Sequence, residues 1–234
     1  MVVLESFKDK TLLVIAPHPD DEVLGCGGLI GRVKADGGKV YVMIITVGDH
    51  PQYGAKSVAN IRISEAKNVM ELLKVDDYEI CWSGNERHLK LDSFPQKELI
   101  DLIENGSKVA LNKVEPDIVA VSHPNANQDH RAVFEATFTA CRPRPVVNKP
   151  LQSVVISYED ASHGWSMKSF TPNMYLDIKD FIKVKCDALT LYNSQLHPNP
   201  HYISIDAVRS LAHLRGIEVG REFAEAFQIH RFFV

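Results

Sequence analysis

A histidine and three carboxyl groups follow directly on an apolar run, in the segment Ala16-Pro-His-Pro-Asp-Asp-Glu22. Charged groups at the end of a buried strand are costly unless they are paired or bind a metal. The spacing of His18 and Asp21 lets an imidazole nitrogen and a carboxylate oxygen reach one ion at about 2.0–2.2 Å, as zinc requires. Asp20 would then lie beside the same ion, where it could accept a proton from water. We interpret this segment as half of a catalytic metal site.

A structural interpretation of the same residues is a turn at His18-Pro19, followed by acidic residues that cap the next helix. Asp and Glu do favour the first turn of a helix. Capping requires only one acid, however, and it accounts for neither the histidine nor the close cluster. The pattern therefore favours the metal site.

The elements that position this segment alternate between strands and helices. The apolar run Leu12–Ala16 predicts a buried first strand, and a helix is expected from about Val23 to Asp36. Further strands are predicted at Lys39–Thr46, Tyr78–Trp82 and Asp117–Ser122, alternating with helices at about Asn60–Lys74, Gln96–Lys113 and Arg131–Cys141. Such alternation predicts an α/β fold, a Rossmann-like three-layer sandwich with a mostly parallel sheet.

The fourth predicted strand is where the second half of the site is expected. In doubly wound sheets the strand order commonly reverses beside strand one, so that strands one and four become neighbours and ligands bind at their carboxyl ends. The segment His123-Pro-Asn-Ala-Asn-Gln-Asp-His130 follows strand four directly. His130 would complete a His/Asp/His set, and three protein ligands with an open position are typical of catalytic zinc. Asp129 could orient a ligand imidazole.

His130 alone would also suit a helix cap or a buried, hydrogen-bonded histidine, and only its place after strand four favours the ligand. Iron is an alternative to zinc, since a His/Asp/His set suits both metals.

The second half of the chain shows a looser pattern. Strands are predicted at Val154–Tyr158 and Met174–Ile178, with an edge strand at Arg221–Phe227, and helices at about Lys179–Asn193 and Ser204–Leu214. The polar loops Val47–Ala59 and Glu159–Lys168 are expected at the mouth of the pocket. Because no repeat or linker divides the chain, we predict one domain over residues 1–234.

Composition excludes several classes of function. A net charge of −4 with no basic cluster predicts no nucleic-acid partner. The apolar runs are far shorter than the roughly 20 residues of a membrane helix, and the N-terminal residues lack a signal-peptide pattern. The four cysteines form no C-x-x-C pair and are expected to be reduced in a cytoplasmic protein.

The first motif, together with Gly25-Cys-Gly-Gly28, closely resembles the signature of the PIG-L/LmbE family of zinc-dependent de-N-acetylases. The resemblance extends along nearly the whole chain and includes Arg62, Glu65, Gln128–Arg131, Phe170, Pro172, Asn173, Tyr192, Ser194, Gln195, Arg215, Gly216 and Ala224–Phe227. It implies removal of an acetyl or similar acyl group from an N-acetylglucosamine-type sugar, which is free or conjugated. It also implies a homo-oligomer, a trimer or hexamer.

By position in the motif, the resemblance implies that His18, Asp21 and His130 are the zinc ligands and that Asp20 is the general base. The chain departs from the family pattern at Asn127, where many relatives have a histidine that stabilises the oxyanion. We therefore expect His123 or His163 to take this role, while Asn127 donates a hydrogen bond at most. A second departure is His197-Pro-Asn199, whose third place is often arginine.

Substrate contacts are predicted for Arg62, Asp49 and His123. An exposed Arg62 paired with Glu65 is an alternative for the first, and a solvated loop is an alternative for Asp49 and its neighbour His50. Trp165 could stack on a sugar ring or pack in an interface. Glu225 is expected to serve structure.

The leading hypothesis is a zinc-dependent N-acyl amino-sugar deacetylase. One alternative is an amidase that acts on a thiol–sugar conjugate. The other is a sugar-binding homologue with weakened catalysis, which the asparagine at position 127 favours.

Overall fold

The computed structural model describes residues 6–52, 55–145, 147, 150–166 and 169–233. Nine strands lie within these residues: β1 (Thr11–Ala16), β2 (Lys39–Val47), β3 (His50–Gln52), β4 (Ala55–Ser57), β5 (Asp77–Ser83), β6 (Ile118–Ser122), β7 (Val154–Tyr158), β8 (Met174–Asp177) and β9 (Ala224–Phe232). Seven form one sheet in the order β5-β2-β1-β6-β7-β9-β8. Strands β3 and β4 form a separate antiparallel pair.

Helices cover both faces of the seven-stranded sheet. They are α1 (Asp21–Ala35), α2 (Ala59–Leu72), α3 (Gln96–Asp101), α4 (Leu111–Val114), α5 (Gln128–Ala140), α6 (Ile182–Leu191) and α7 (Ile205–Ile217). Side chains of β1 alternate between the two faces: Leu12 and Val14 pack with α1, α2, α6 and α7, whereas Leu13 and Ile15 pack with α3 and α5. The three-layer α/β architecture is confirmed.

Strand β1 lies between β2 and β6 and is parallel to both. The strand order therefore reverses beside β1, as predicted, and β6 is the strand expected at Asp117–Ser122. The two chain segments that leave the carboxyl ends of β1 and β6 consequently emerge side by side.

Two predicted elements differ from the structure. The helix expected over Gln96–Lys113 is interrupted by a π-helical turn at Leu102–Gly106, after which the chain leaves the helix. The hydroxyl of Ser107 donates a hydrogen bond to Glu79 on β5, and this contact draws the chain toward the sheet.

The prediction of an edge strand at Arg221–Phe227 was wrong. Strand β9 continues to Phe232 and lies between β7 and β8, antiparallel to both, so that β8 forms the edge. The sequence pattern did not predict this continuation, because polar residues after Phe227 interrupt the apolar pattern. These residues nevertheless pair with β7.

The loop expected at Val47–Ala59 contains the β3–β4 pair, with residues 53–54 outside the described part. The loop expected at Glu159–Lys168 contains a short 3-10 turn at Ala161–Gly164, and its residues 167–168 also fall outside. No helix among the described residues is both long and apolar enough to cross a membrane.

Gly25 lets α1 approach β7 closely. A Cβ atom at Gly25 would lie 1.9 Å from Cδ2 of the buried Tyr158, whose hydroxyl donates to the Ile15 carbonyl. We expect Gly25→Ala to lower the free energy of unfolding by about 1–3 kcal/mol or more, because the ring cannot move without losing this hydrogen bond. Urea unfolding measures the change. Gly164→Ala is the control, since its Cβ would meet nothing within 4 Å, and equal midpoints for both variants would contradict the prediction.

Candidate metal centre and active site

The loop from β1 into α1 carries the first motif. Asp20 adopts a φ of 111°, in the region that non-glycine residues rarely occupy. The turn is held by the Asp20 carbonyl, which accepts hydrogen bonds from Val23 and Leu24, and by Glu22, whose carboxylate accepts the N–H of Asp20 at 3.1 Å. Glu22 in turn accepts a hydrogen bond from the Tyr192 hydroxyl at 2.5 Å. The C-terminal half of the chain thereby fixes the turn.

His18, Asp21 and His130 converge, although the third is far from the others in the sequence. Each offers one ligand atom, and these three atoms lie within 4.8 Å of one another. Oδ2 of Asp21 is 3.5 Å from Nδ1 of His18 and 3.4 Å from Nε2 of His130. All three side chains are buried. Two imidazole nitrogens and one carboxylate at this separation match the donor set of a catalytic divalent-metal site.

The charges around His18 and Asp21 favour the binding of a cation. Burial by itself lowers the pKa of His18, but the hydrogen bonds and charges of Asp129 and Asp21 raise it to about 9. Burial raises the pKa of Asp21, and the charges of His130 and His18 outweigh it, so that the pKa lies below its usual range. A place that stabilises positive charge in this way would also stabilise a metal ion.

The remaining ring nitrogens of the two histidines are held by other groups. Asp129 is fully buried, and its Oδ2 accepts a hydrogen bond from Nε2 of His18 at 3.0 Å. The same carboxylate accepts the backbone N–H groups of Leu89 and Leu91 at 2.8 and 2.9 Å. Nδ1 of His130 pairs with the Ser122 hydroxyl at 2.9 Å. These contacts turn one nitrogen of each ring toward Asp21, an arrangement common around ligand histidines.

Asp20 lies beside this trio and differs from Asp21 in its electrostatics. Burial raises the pKa of Asp20 well above its usual range, and the Arg62 guanidinium, 3.8 Å away, only partly opposes this. Adjacent carboxyl groups whose pKa values are pushed apart are typical of acid–base pairs with different roles. The geometry suits Asp21 to hold charge and Asp20 to exchange a proton.

A cavity of about 760 Å³ opens above these residues. Its wall includes the predicted site residues His18, Asp20, Asp21, Arg62, Asn127 and His130, and also His50, His88, Trp165, Gln195, His201 and Tyr202. Asp129 lies behind the wall. This volume is within the usual range for small-molecule sites.

Arg62 is buried, which excludes the alternative of an exposed arginine paired with Glu65. Its Nη2 donates a hydrogen bond to the Pro19 carbonyl at 2.7 Å, so that it supports the loop from β1 into α1 as well as lining the cavity. Glu65 instead accepts hydrogen bonds from the backbone N–H and hydroxyl of Ser194.

Three other predicted residues lie elsewhere than expected. Asp49 does not line the cavity: its carboxylate accepts the N–H of Ala59 at the start of α2. His123 is buried behind the wall, where Nδ1 pairs with Ser157 at 3.1 Å. His163 accepts the N–H of Asp160 at Nδ1 and donates from Nε2 to the His123 carbonyl, so both its nitrogens are engaged within the protein. Neither histidine is among the residues that line the cavity, and a substrate contact through His123 or His163 stays a prediction.

Sequence reasoning missed His88. It stands on the loop after β5, and its ring centroid lies 5.1 Å from that of His18. Burial, together with the positive charges of His18, Arg62 and His50, lowers the pKa of His88 to about 3. The position of His88 after a predicted strand was a usable signal. Strand β5 is parallel to β2, so its carboxyl end lies at the same edge of the sheet as those of β1 and β2.

Comparisons with known proteins identify the family of the chain. The family model described as PIG-L, GlcNAc-PI de-N-acetylase, matches residues 13–141. An uncharacterized deacetylase of Escherichia coli, YaiS, is 27% identical over 194 residues, which cover 80% of this chain and 92% of the relative. The diacetylchitobiose deacetylase of Thermococcus kodakarensis is 25% identical over 231 residues, which cover 96% of this chain and 85% of the relative.

Among solved structures, the 4-carboxy-2-hydroxymuconate hydratase GalB from Pseudomonas putida KT2440 superposes with a TM-score of 0.75 at 18% identity, covering 96% of this chain and 98% of the other. This likeness shows a shared fold alone. Since one fold supports different reactions, the reaction has to be argued from the site.

Proposed function

The chain belongs to the PIG-L family of deacetylases, and we propose that it uses a divalent metal, zinc, to remove an N-acetyl or similar acyl group from an amino sugar or its conjugate. The observation that carries this proposal is the convergence of His18, Asp21 and His130 at the floor of the cavity, with Asp20 beside them. The names of the relatives support the substrate class, since one deacetylates diacetylchitobiose.

His18, Asp21 and His130 would hold the metal. A bound zinc ion lowers the pKa of water toward about 7 and polarises an amide carbonyl. Asp20 accepts the proton of the attacking water, whose oxygen forms a bond to the acyl carbon. Asp20 then returns this proton to the nitrogen as the carbon–nitrogen bond breaks, and the products are acetate and the free amine. Burial raises the pKa of Asp20, which favours this second step because holding the proton until the carbon–nitrogen bond breaks then costs less free energy.

Asp129 and Ser122 keep the two histidines in the ligand orientation, and Arg62 holds the loop that carries Asp20. The polar wall suits the hydroxyl groups of a sugar. The exposed rings at its mouth, Trp165 and Tyr202, offer apolar faces to a pyranose or its substituent.

Metal removal tests this proposal. We expect the purified protein to bind about one zinc per chain and to release acetate from N-acetylglucosamine or diacetylchitobiose. Chelation should stop acetate release, and added zinc should restore it. Zinc should also raise the midpoint of thermal unfolding, because it binds the folded state. In His130→Ala we expect no zinc-dependent rise, and the exposed His213→Ala on α7 is the control. Turnover that survives complete removal of metal would contradict the proposal.

Two other functions can be distinguished from this proposal by the products that the protein releases. An amidase acting on a thiol–sugar conjugate would release a larger acid than acetate, which mass spectrometry of the products identifies. A sugar-binding homologue is favoured by Asn127, whose side-chain oxygen is committed to capping α5 through the Asp129 N–H. Such a protein would bind metal and N-acetyl sugars without releasing acetate.

A further inference from the structure

The mouth of the cavity carries two aromatic rings that the proposed acyl chemistry does not use. Both line the same cavity as His18, Asp21 and His130. Trp165 has 83% of its surface exposed, and Tyr202 has 40%. Exposed rings beside polar groups in a cavity are typical of a ligand site, because a ligand that covers them removes apolar surface from water.

Tyr202 is held in one orientation by two histidine rings. It stacks on His201 with a centroid distance of 4.6 Å and an interplanar angle of 24°, and the His201 ring lies 4.1 Å from that of His197. Nδ1 of His201 accepts the N–H of Ile203 at 3.0 Å, and the N–H of His197 donates to the Ile203 carbonyl at 2.9 Å. The segment that carries Tyr202 is therefore closed on itself and presents a fixed ring to the cavity.

Helix α7 connects the segments that carry the two rings. It begins shortly after Tyr202, and in its last turn Arg215 donates to both carboxylate oxygens of Glu159 at 2.5 and 2.8 Å. Glu159 follows β7 directly, and the turn Ala161–Gly164, which leads to Trp165, lies against α7. One helix thus braces both segments, so less ordering free energy is lost when a ligand binds between them.

An ionised carboxylate lies on the same wall as Trp165. Burial raises the pKa of Asp160, but the hydrogen bond and the charge of His163 outweigh it, so that the pKa lies below its usual range. Oδ1 of Asp160 accepts the N–H of Ser162 at 2.6 Å, which leaves further acceptor positions on the carboxylate. Asp160 can therefore accept hydrogen bonds from sugar hydroxyls, whereas its charge repels a phosphate or a carboxylate.

We propose that Trp165 and Tyr202 form an outer subsite for a second ring of the substrate, so that the protein deacylates an uncharged, disaccharide-sized glycoside of an amino sugar in preference to the free monosaccharide. This inference rests on the proposed function. The C–H groups of a pyranose carry partial positive charge and pack against the negative face of an aromatic ring. The volume of about 760 Å³ lies in the upper part of the range for drug-sized ligands, which leaves room beyond one acetylated pyranose.

The experiment compares Trp165→Ala, Tyr202→Ala and Tyr202→Phe with wild type, all loaded with zinc. We expect kcat/KM of wild type for N,N′-diacetylchitobiose to exceed that for N-acetylglucosamine about tenfold or more. Each alanine variant should lower the disaccharide value about 3- to 10-fold and leave the monosaccharide value unchanged. Tyr202→Phe keeps the ring and should keep the preference. The control is Phe233→Ala, which removes a ring that is 60% exposed and does not line the cavity.

Binding gives a readout that does not depend on turnover. In isothermal titration calorimetry, chitobiose, the same disaccharide without acyl groups, should bind wild type about tenfold more tightly than glucosamine does. Trp165→Ala and Tyr202→Ala should lose most of this difference, while Phe233→Ala keeps it. Urea unfolding midpoints of the variants should match wild type.

Equal kcat/KM for the two acetylated sugars in wild type, or an equal loss on both sugars in the alanine variants, would overturn the inference and leave the proposed function intact. Faster turnover of N-acetylglucosamine 1-phosphate than of the disaccharide would also overturn it, because the second group would then be recognised by its charge. A zinc-loaded protein that releases no acetate from any of these sugars would instead overturn the proposed function. The calorimetry would still decide whether the outer subsite binds a second ring.

Discussion

Replacing Asp20 with asparagine should lower kcat for acetate release by about 10²- to 10⁴-fold while zinc stays bound. The amide cannot accept the proton of the attacking water. Among the described residues, the other carboxylate that lines the cavity beside Asp21 is Asp160, which is engaged with His163 and the N–H of Ser162. Asp21 is engaged with His18 and His130, and Glu22 with Tyr192 and the Asp20 N–H. Asparagine has the same shape and tolerates a positive φ, so the turn at φ 111° should persist.

The measurement is kcat together with zinc content for wild type, Asp20→Asn and Asp187→Asn. Asp187 lies on α6, and among the described residues its carboxylate pairs with the exposed Lys183, so its variant controls for the loss of a carboxylate elsewhere. Unchanged turnover in Asp20→Asn would remove Asp20 from the mechanism. Loss of zinc would place it among the ligands.

Glu225→Ala should lower the free energy of unfolding by about 3–5 kcal/mol, the usual cost of breaking a buried ion pair from one side. Glu225 lies on β9, and its Oε1 is 2.6 Å from Nζ of Lys185 on α6. Its carboxylate also accepts the N–H groups of Gly28 and Leu29 in α1, each at 2.7 Å. Removing it leaves a buried ammonium group and two N–H donors without this acceptor.

Urea unfolding measures the change, with Asp187→Ala as the control. That variant breaks the exposed pair with Lys183 and should cost at most about 0.5 kcal/mol. A loss of less than 1 kcal/mol in Glu225→Ala would contradict the prediction. Zinc content should stay unchanged in molecules that remain folded, since Glu225 makes no contact with His18, Asp21 or His130 in the part of the chain that the structure describes.

Much of the fold was predictable because its signals are local. The fully buried run Leu12–Ala16 identifies a central parallel strand, and the polar residues after it and after Ser122 mark the edge where ligands bind. The prediction that His18, Asp21 and His130 meet followed from one rule about strand order, and the three side chains do lie together. Their role as ligands stays a prediction.

The rest depended on tertiary contacts that no local pattern contains. His88 lies in a loop without apolar periodicity, and its position follows from hydrogen bonds to Asp129, about 40 residues further along the chain. The position of β9 likewise depends on pairing with β7 from a distant part of the sequence. Asp49 and His123 are polar residues at the correct edge of the sheet, but burial and capping turned each away from the cavity.

The two sets of hydrogen bonds that Asp129 accepts limit how the substrate range of this protein can be redesigned. The Asp129 carboxylate accepts hydrogen bonds both from His18 and from the loop at 84–91. Exchanging that loop for one of another length would remove the N–H groups that hold Asp129 in place against His18. Among the residues that the structure describes, the segment of β3 and β4 makes no hydrogen bond to His18, Asp21 or His130. Loop grafting for new substrates should therefore begin there and keep His50, which lines the cavity and pairs with His88 at 3.3 Å.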